Sequence, residues 1–253
     1  MSTPAETVAS GSDLSGTTTL VVGASRGLGR GIASALVDAG SAVIAVSRTD
    51  HRPDRTAIRT EVADAADAGT AGRLLGRYHP DALVLVAGAS PVMRPLQHQT
   101  WETFSVNWHA DVRIAFYWLR EALLRPLPPG SRIIVVSSGA AVAGSPLSGG
   151  YAGAKATQRF MTAYARDEAE RAGLSISVTA VLPRITPLTE LGRAAVSAYA
   201  ARAGLSADEY ARQHGEPLTP NGAGTAVVEL LTADATTLAP AYSLTGAGLH
   251  QLP

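Results

Sequence analysis

The sequence predicts a single α/β domain built on a doubly wound parallel sheet, and three observations predict it. Short apolar, β-branched runs recur along the chain, stretches of helical period separate them, and glycines gather where the first run gives way to the first helix. The runs lack polar alternation, as expected of parallel strands covered on both faces. At 253 residues the chain can bury one core without splitting into two.

Taken in order, residues 1–16, "MSTPAETVASGSDLSG", are small and polar and read as a flexible tail, with the folded domain spanning 17–253. "TTTLVV" (17–22) is the first strand and 27–39 the first helix. "AVIAVS" (42–47) is the second strand, and a weaker run at 56–62 the third. A helix over 66–78 leads to "ALVLVA" (82–87), a longer one over 101–125 to "RIIVVS" (132–137), and one over 151–172 to "SISVTAVL" (175–182). Two segments, 90–100 and 184–220, follow strand ends and carry Pro, Met, Leu and Tyr. In an open α/β sheet the ligand crevice lies at the carboxyl ends of the strands. These segments are therefore expected to cover it, the second as a substrate-covering segment containing short helices.

Composition excludes several classes. Basic and acidic residues number 21 each, so the formal charge is zero and no basic stripe supports nucleic-acid or anionic-membrane binding. The absence of cysteine removes disulfides, zinc–thiolate sites and thiol nucleophiles, and suits the cytoplasm. The first residues lack a signal peptide's basic and apolar regions, and no apolar run reaches the roughly 18–20 residues of a membrane span, so a soluble protein is expected. Six histidines in no HxxxH or HExxH pattern argue against a metal. Trp101, Phe104, Trp108, Phe116 and Trp118 on the long helix suit core packing or a subunit interface.

After the first strand comes "VVGASRGLGRGIA", with Gly23, Gly27 and Gly29 at the strand-to-helix junction. Glycines there let the backbone turn tightly and approach a pyrophosphate, whose charge the helix N-terminus stabilises. A lone glycine triplet also serves a plain tight turn; its position after the first buried strand favours a dinucleotide. An NAD site would place a carboxylate at the end of the second strand. The chain instead has Ser47 and Arg48, with Arg26 inside the glycine loop. Guanidinium groups suit bidentate phosphate binding, so the pair points to a 2′-phosphate and NADP(H), although two solvated surface arginines would read the same way.

Tyr151 and Lys155 stand at i and i+4 at the start of a helix, on one face. A neighbouring ammonium favours a phenolate, and bringing a free phenol from about 10 to neutrality would require about 4 kcal/mol. Lys155 is also the chain's one lysine among twenty arginines. A compact cation that contacts a ribose hydroxyl and a phenol together explains why it is not an arginine. Ser138, just past the fourth buried run, is placed to hold a substrate carbonyl oxygen. Ser137 is the alternative, since side chains alternate along a strand.

The order GxxxGxG, "AG", Asn, Ser, YxxxK resembles the short-chain dehydrogenases/reductases, over about residues 17–248. The resemblance implies a Rossmann fold and a catalytic tetrad of Asn107, Ser138, Tyr151 and Lys155. In it the Asn backbone helps hold a relay water, Ser polarises the substrate, Tyr is the acid/base, and Lys binds the nicotinamide ribose. It also implies a cofactor-binding set of Gly23, Ser25, Arg26, Gly27, Leu28, Gly29, Ser47, Arg48, Glu61, Val62, Ala87, Gly88, Tyr151, Lys155, Pro183 and Ile185. The chain departs from the family where Leu85-Val86-Ala87-Gly88 replaces Asn-Asn-Ala-Gly, Pro183-Arg184 replaces Pro-Gly and Glu61-Val62 replaces Asp-Val, and it lacks the closing Asp-Gly-Gly.

The expectation is an NADP(H)-dependent oxidoreductase acting on a ketone or aldehyde, or the alcohol. Val92, Met93, Leu147, Leu188 and Leu191 favour a mostly apolar small molecule, and a homodimer or homotetramer is implied by the resemblance. A non-redox enzyme on the same scaffold (elimination, cyclisation or isomerisation) and a cofactor-sensing binding protein are the alternatives.

Overall fold

The computed structural model describes residues 13–50 and 57–252. Eight strands form one sheet: β1 (Thr18–Val22), β2 (Ala42–Ser47), β3 (Ile58–Val62), β4 (Ala82–Leu85), β5 (Arg132–Val136), β6 (Ser177–Pro183), β7 (Ala241–Thr245) and β8 (Gly248–Leu252). Their spatial order is β3-β2-β1-β4-β5-β6-β7-β8, parallel throughout except for β8, which pairs antiparallel with β7. The order reverses between β1 and β4, which defines the switch point where a doubly wound sheet opens its crevice.

Helices α1 (Gly27–Asp38) and α9 (Pro220–Thr232) cover one face; α2 (Thr70–Tyr78), α4 (Arg113–Leu124) and α6 (Tyr151–Arg171) cover the other, and the short α5 (Ala140–Ala143) follows β5. The alternation within β1 shows why both faces are apolar. Val21 packs into the first layer with Ile32, Leu36 and Val227, while Leu20 and Val22 pack into the second with Leu74, Trp118 and Ile133. Each such Leu or Val, fully buried, contributes about 1.5–3 kcal/mol. Trp118 is completely buried, and its indole N–H donates to the Ala65 carbonyl at 3.0 Å, so its polar atom is satisfied.

Several boundaries differ from the sequence reading. The expected tail lies outside the described residues as far as residue 12, but Leu14 is buried and its N–H donates to Ala39 O at 2.7 Å, so the fold is anchored ahead of residue 17. The start of the weak third run also lies outside the described residues. The helix expected from 66 begins at Thr70, because Asp64 and Asp67 accept the backbone N–H groups of Ala66 and Gly69 and hold turns there. The helix expected over 101–125 is α3 (Trp101–Asn107) and α4 joined by a π-helical turn, Trp108–Val112. The run 82–87 leaves the sheet after Leu85, where the N–H groups of Val86 and Ala87 both reach Val22 O.

The C-terminal part holds more structure than its sequence signals. Gly222 and Gly224 weaken α9 as an isolated helix, yet Gly224 permits its packing on α1. A Cβ on Gly224 would come within 2.5 Å of the Ala35 side chain, and one on Gly31 within 2.1 Å of Pro220 O. The segment 184–220 contains α7 (Glu190–Ala203) and α8 (Ala207–Arg212), capped by Thr189 and Ser206 respectively. The Tyr199 hydroxyl of α7 is hydrogen-bonded to Ser145, so this segment is fastened to the loop before α6.

Candidate active site

The glycine turn lies at the switch point. Gly23 sits against the turn after β4, where a Cβ would fall 2.6 Å from Ala87 Cα, and a Cβ on Gly29 would fall 2.0 Å from Gly23 O. No side chain can be added without opening the turn. Helix α1 begins here with Arg26 at its N-cap and no side chain bonded to its first amides, leaving them to meet an anion. Gly27 faces Thr189 of the covering segment. Ser25 and Leu28 are half-buried in the same turn.

Around it, Arg26 is exposed and its guanidinium pairs with Glu190 at 2.6 Å, across the turn. Arg48 is exposed at the end of β2, and the Ser47 hydroxyl donates to Thr49 O at 2.6 Å. Glu61 turns towards α2: its carboxylate accepts from the Tyr78 hydroxyl and pairs with Arg77 at 3.2 Å, while the neighbouring Val62 is exposed. Pro183 is buried, and the Arg184 N–H continues the ladder to Leu244 O at 2.8 Å, so Pro-Arg follows the strand path here. Ile185 is half-buried beyond it.

Tyr151 begins α6 and is half-buried; one turn later Lys155 is only 5% exposed, its Nζ 5.6 Å from the centre of the Tyr151 ring. Ser137 and Ser138 point apart. The Ser137 hydroxyl is buried and donates to the Lys155 carbonyl at 2.7 Å, bracing the helix on the strand. Ser138 is half-buried at the crevice end of β5, and its oxygen accepts from Ala140 N–H at 3.2 Å.

Asn107 and Lys155 meet through a residue that carries no motif signal, Asp111. It lies in the π-helical turn with no exposed surface. Its Oδ1 accepts from Ala89 N–H at 2.8 Å and from Asn107 Nδ2 at 3.2 Å, and Oδ2 is 3.1 Å from Lys155 Nζ. Asn107 Nδ2 also donates to Ala89 O at 2.7 Å. Gln158 closes the arrangement, accepting from Lys155 Nζ at 3.0 Å and donating to the Asp111 carbonyl at 2.9 Å. The sequence clue was a carboxylate four residues after Asn107, one helical turn further along the same face.

Burial alone would pull the Lys155 pKa down, but Asp111, with Tyr151 beside it, holds the pKa above lysine's ordinary value. A raised folded-state value stabilises the fold fully below the ordinary lysine pKa, and that contribution is lost as pH rises through the raised one.

Glycines closing a turn at the switch point, an uncapped helix N-terminus beside it and a tyrosine–lysine pair on one helical turn define a Rossmann-fold enzyme that holds a nicotinamide cofactor. The sequence profile of the short chain dehydrogenases matches residues 17–200, and the chain belongs to that family. It is similar to L-xylulose reductase of Bos taurus, with 32% identity over 193 residues covering 73% of this chain and 77% of the relative. A porcine relative (Sus scrofa), carbonyl reductase [NADPH] 2, is 29% identical over 194 residues, covering 73% and 78%. The fold matches that of a dehydrogenase/reductase from Sinorhizobium meliloti with a TM-score of 0.76 at 24% identity, over 93% of this chain and 95% of the other. Among the described residues no helix is long and apolar enough to cross a membrane, and no group of three His, Asp or Glu side chains could hold a metal ion.

Proposed function

We propose that the protein is an NADPH-dependent carbonyl reductase of the cytoplasm, reducing a ketone or aldehyde of a mostly apolar small molecule or oxidising the alcohol. The observation that carries this reading is Lys155, buried and charged one turn after Tyr151. The glycine turn and uncapped α1 fit the pyrophosphate of a dinucleotide, and Arg26 and Arg48, with no carboxylate ending β2, suit a 2′-phosphate. The NADPH in the porcine relative's name agrees. The bound nicotinamide would supply or accept the hydride. Ser138 holds the substrate oxygen, Tyr151 gives it a proton, Lys155 binds a ribose hydroxyl with a remaining N–H, and Asn107 holds the relay towards solvent. Leu188 and Leu191 of the segment 184–220, with Val92 and Met93 of 90–100, offer apolar surface for the substrate, while Leu147 is buried in the loop before α6.

The test is NADPH consumption across a panel of ketones and aldehydes, with direct NADPH titration alongside. Binding without consumption across the panel would overturn the reductase reading, and no binding would overturn the cofactor. The Arg26–Glu190 pair gives a sharper prediction. Both side chains are largely exposed, so the pair is worth about 0–1 kcal/mol. Glu190 competes with a 2′-phosphate for Arg26; Glu190→Gln is expected to tighten NADPH binding by up to about five-fold and leave NADH binding unchanged.

The same reading assigns the outer faces of α3–α4 and α6 to a homodimer or homotetramer, since Trp101, Trp108, Phe116, Phe160 and Tyr164 are exposed there. Light scattering is expected to return a multiple of the 26.0 kDa chain, and Phe160→Asp to reduce it.

A further inference from the structure

We infer that Asp111 is a positioning residue: a buried carboxylate that, with Gln158, holds the Lys155 ammonium charged and fixed beside Tyr151. The inference rests on the reading of Tyr151 and Lys155 as the reacting pair and deepens it.

The surroundings are built for a carboxylate. Its Oδ1 takes two hydrogen bonds, from Ala89 N–H and Asn107 Nδ2, while Oδ2 takes none of good geometry and has Lys155 Nζ at 3.1 Å as its compensation. A buried carboxylate half-served by hydrogen bonds needs a cation for the rest. The turn after β4 is shaped around it, since a Cβ on Gly88 would approach Oδ2 to 2.7 Å. The π-helical turn carries Asp111, and such a turn places a side chain where a regular helix would not.

Lysine has three N–H donors. One faces Asp111 and one serves Gln158, which reaches back to the Asp111 carbonyl and ties α6 to the π-helical turn. This leaves a third for a ribose hydroxyl. The ammonium therefore has its position and charge before any ligand arrives. Among the described residues, the titratable groups acting on Lys155 are Asp111 from the π-helical turn and Tyr151 from its own helix. The turn after β4 and the end of β5 bring the neutral residues Ala87, Gly88, Ala89 and Ser137.

Because Lys155 is the chain's one lysine, labelling lysine with a heavy carbon isotope at Cε gives a single nuclear magnetic resonance signal to titrate. In the full wild-type chain that signal is expected to stay in its charged form beyond the ordinary lysine value of about 10.4. A midpoint below that value would overturn the inference.

Asp111→Asn keeps an acceptor for Ala89 and removes the charge. Its Lys155 midpoint is expected to fall by about one unit or more. The alkaline limb of carbonyl reduction should fall with it, whichever member of the coupled pair carries the titration. An unchanged midpoint and pH profile would show that Asp111 merely ties the turn together. Should Asp111→Asn not fold, the wild-type midpoint still decides. The titration needs no turnover. A high Lys155 midpoint in a chain that reduces no carbonyl would sink the reductase reading alone, whereas a low midpoint in an active reductase would sink the ion pair alone.

Discussion

Tyr151→Phe is expected to lower kcat/KM for carbonyl reduction by about 10²–10⁴-fold, the usual contribution of a positioned general acid. The variant keeps the ring that lies 5.6 Å from Lys155 Nζ and loses only the hydroxyl. Tyr151 is half-buried, and among the described residues its hydroxyl makes no hydrogen bond whose loss would disturb the fold. Stability and direct NADPH affinity should therefore stay close to wild type, within about two-fold for binding. Steady-state kinetics beside a binding titration separate the two quantities. An unchanged kcat/KM would remove Tyr151 from the chemistry.

Lys155→Met is expected to lower the stability at neutral pH by about 3–5 kcal/mol, the scale for removing one partner of a buried ion pair. Methionine fills similar space, so the cost comes from Asp111, left with no exposed surface and no counter-charge. Adding Asp111→Asn removes that stranded charge. The double variant should recover much of the loss, as a double-mutant cycle by denaturant unfolding would read. If the single variant matched wild type, the pair would have no energetic weight. Carbonyl reduction should be lost in both variants, because neither retains the ammonium.

The legible part of the protein was local. β1, β2, β4, β5 and β6 announced themselves as apolar runs, because strands covered on both faces must be apolar on both. β7 and β8 did not: His250 and Gln251 face solvent on the edge strand, and the hairpin gains its place by pairing with β6. Helix α9 was hidden for a related reason. Its glycines argue against a helix locally, and Gly224 is required by the close approach of α1.

By itself the sequence determined the alternation of strand and helix, the glycine turn after β1, and the partnership of Tyr151 with Lys155. Each is a matter of a few residues whose spacing and the helix or strand period decide the geometry. The tertiary structure alone decided that Ser137 braces α6 while Ser138 borders the crevice, that Glu190 reaches Arg26, and that Asp111 meets Lys155. Those contacts join elements remote in the chain. They exist because sheet order and helix packing bring separate segments to one point, and no local window of sequence carries that information.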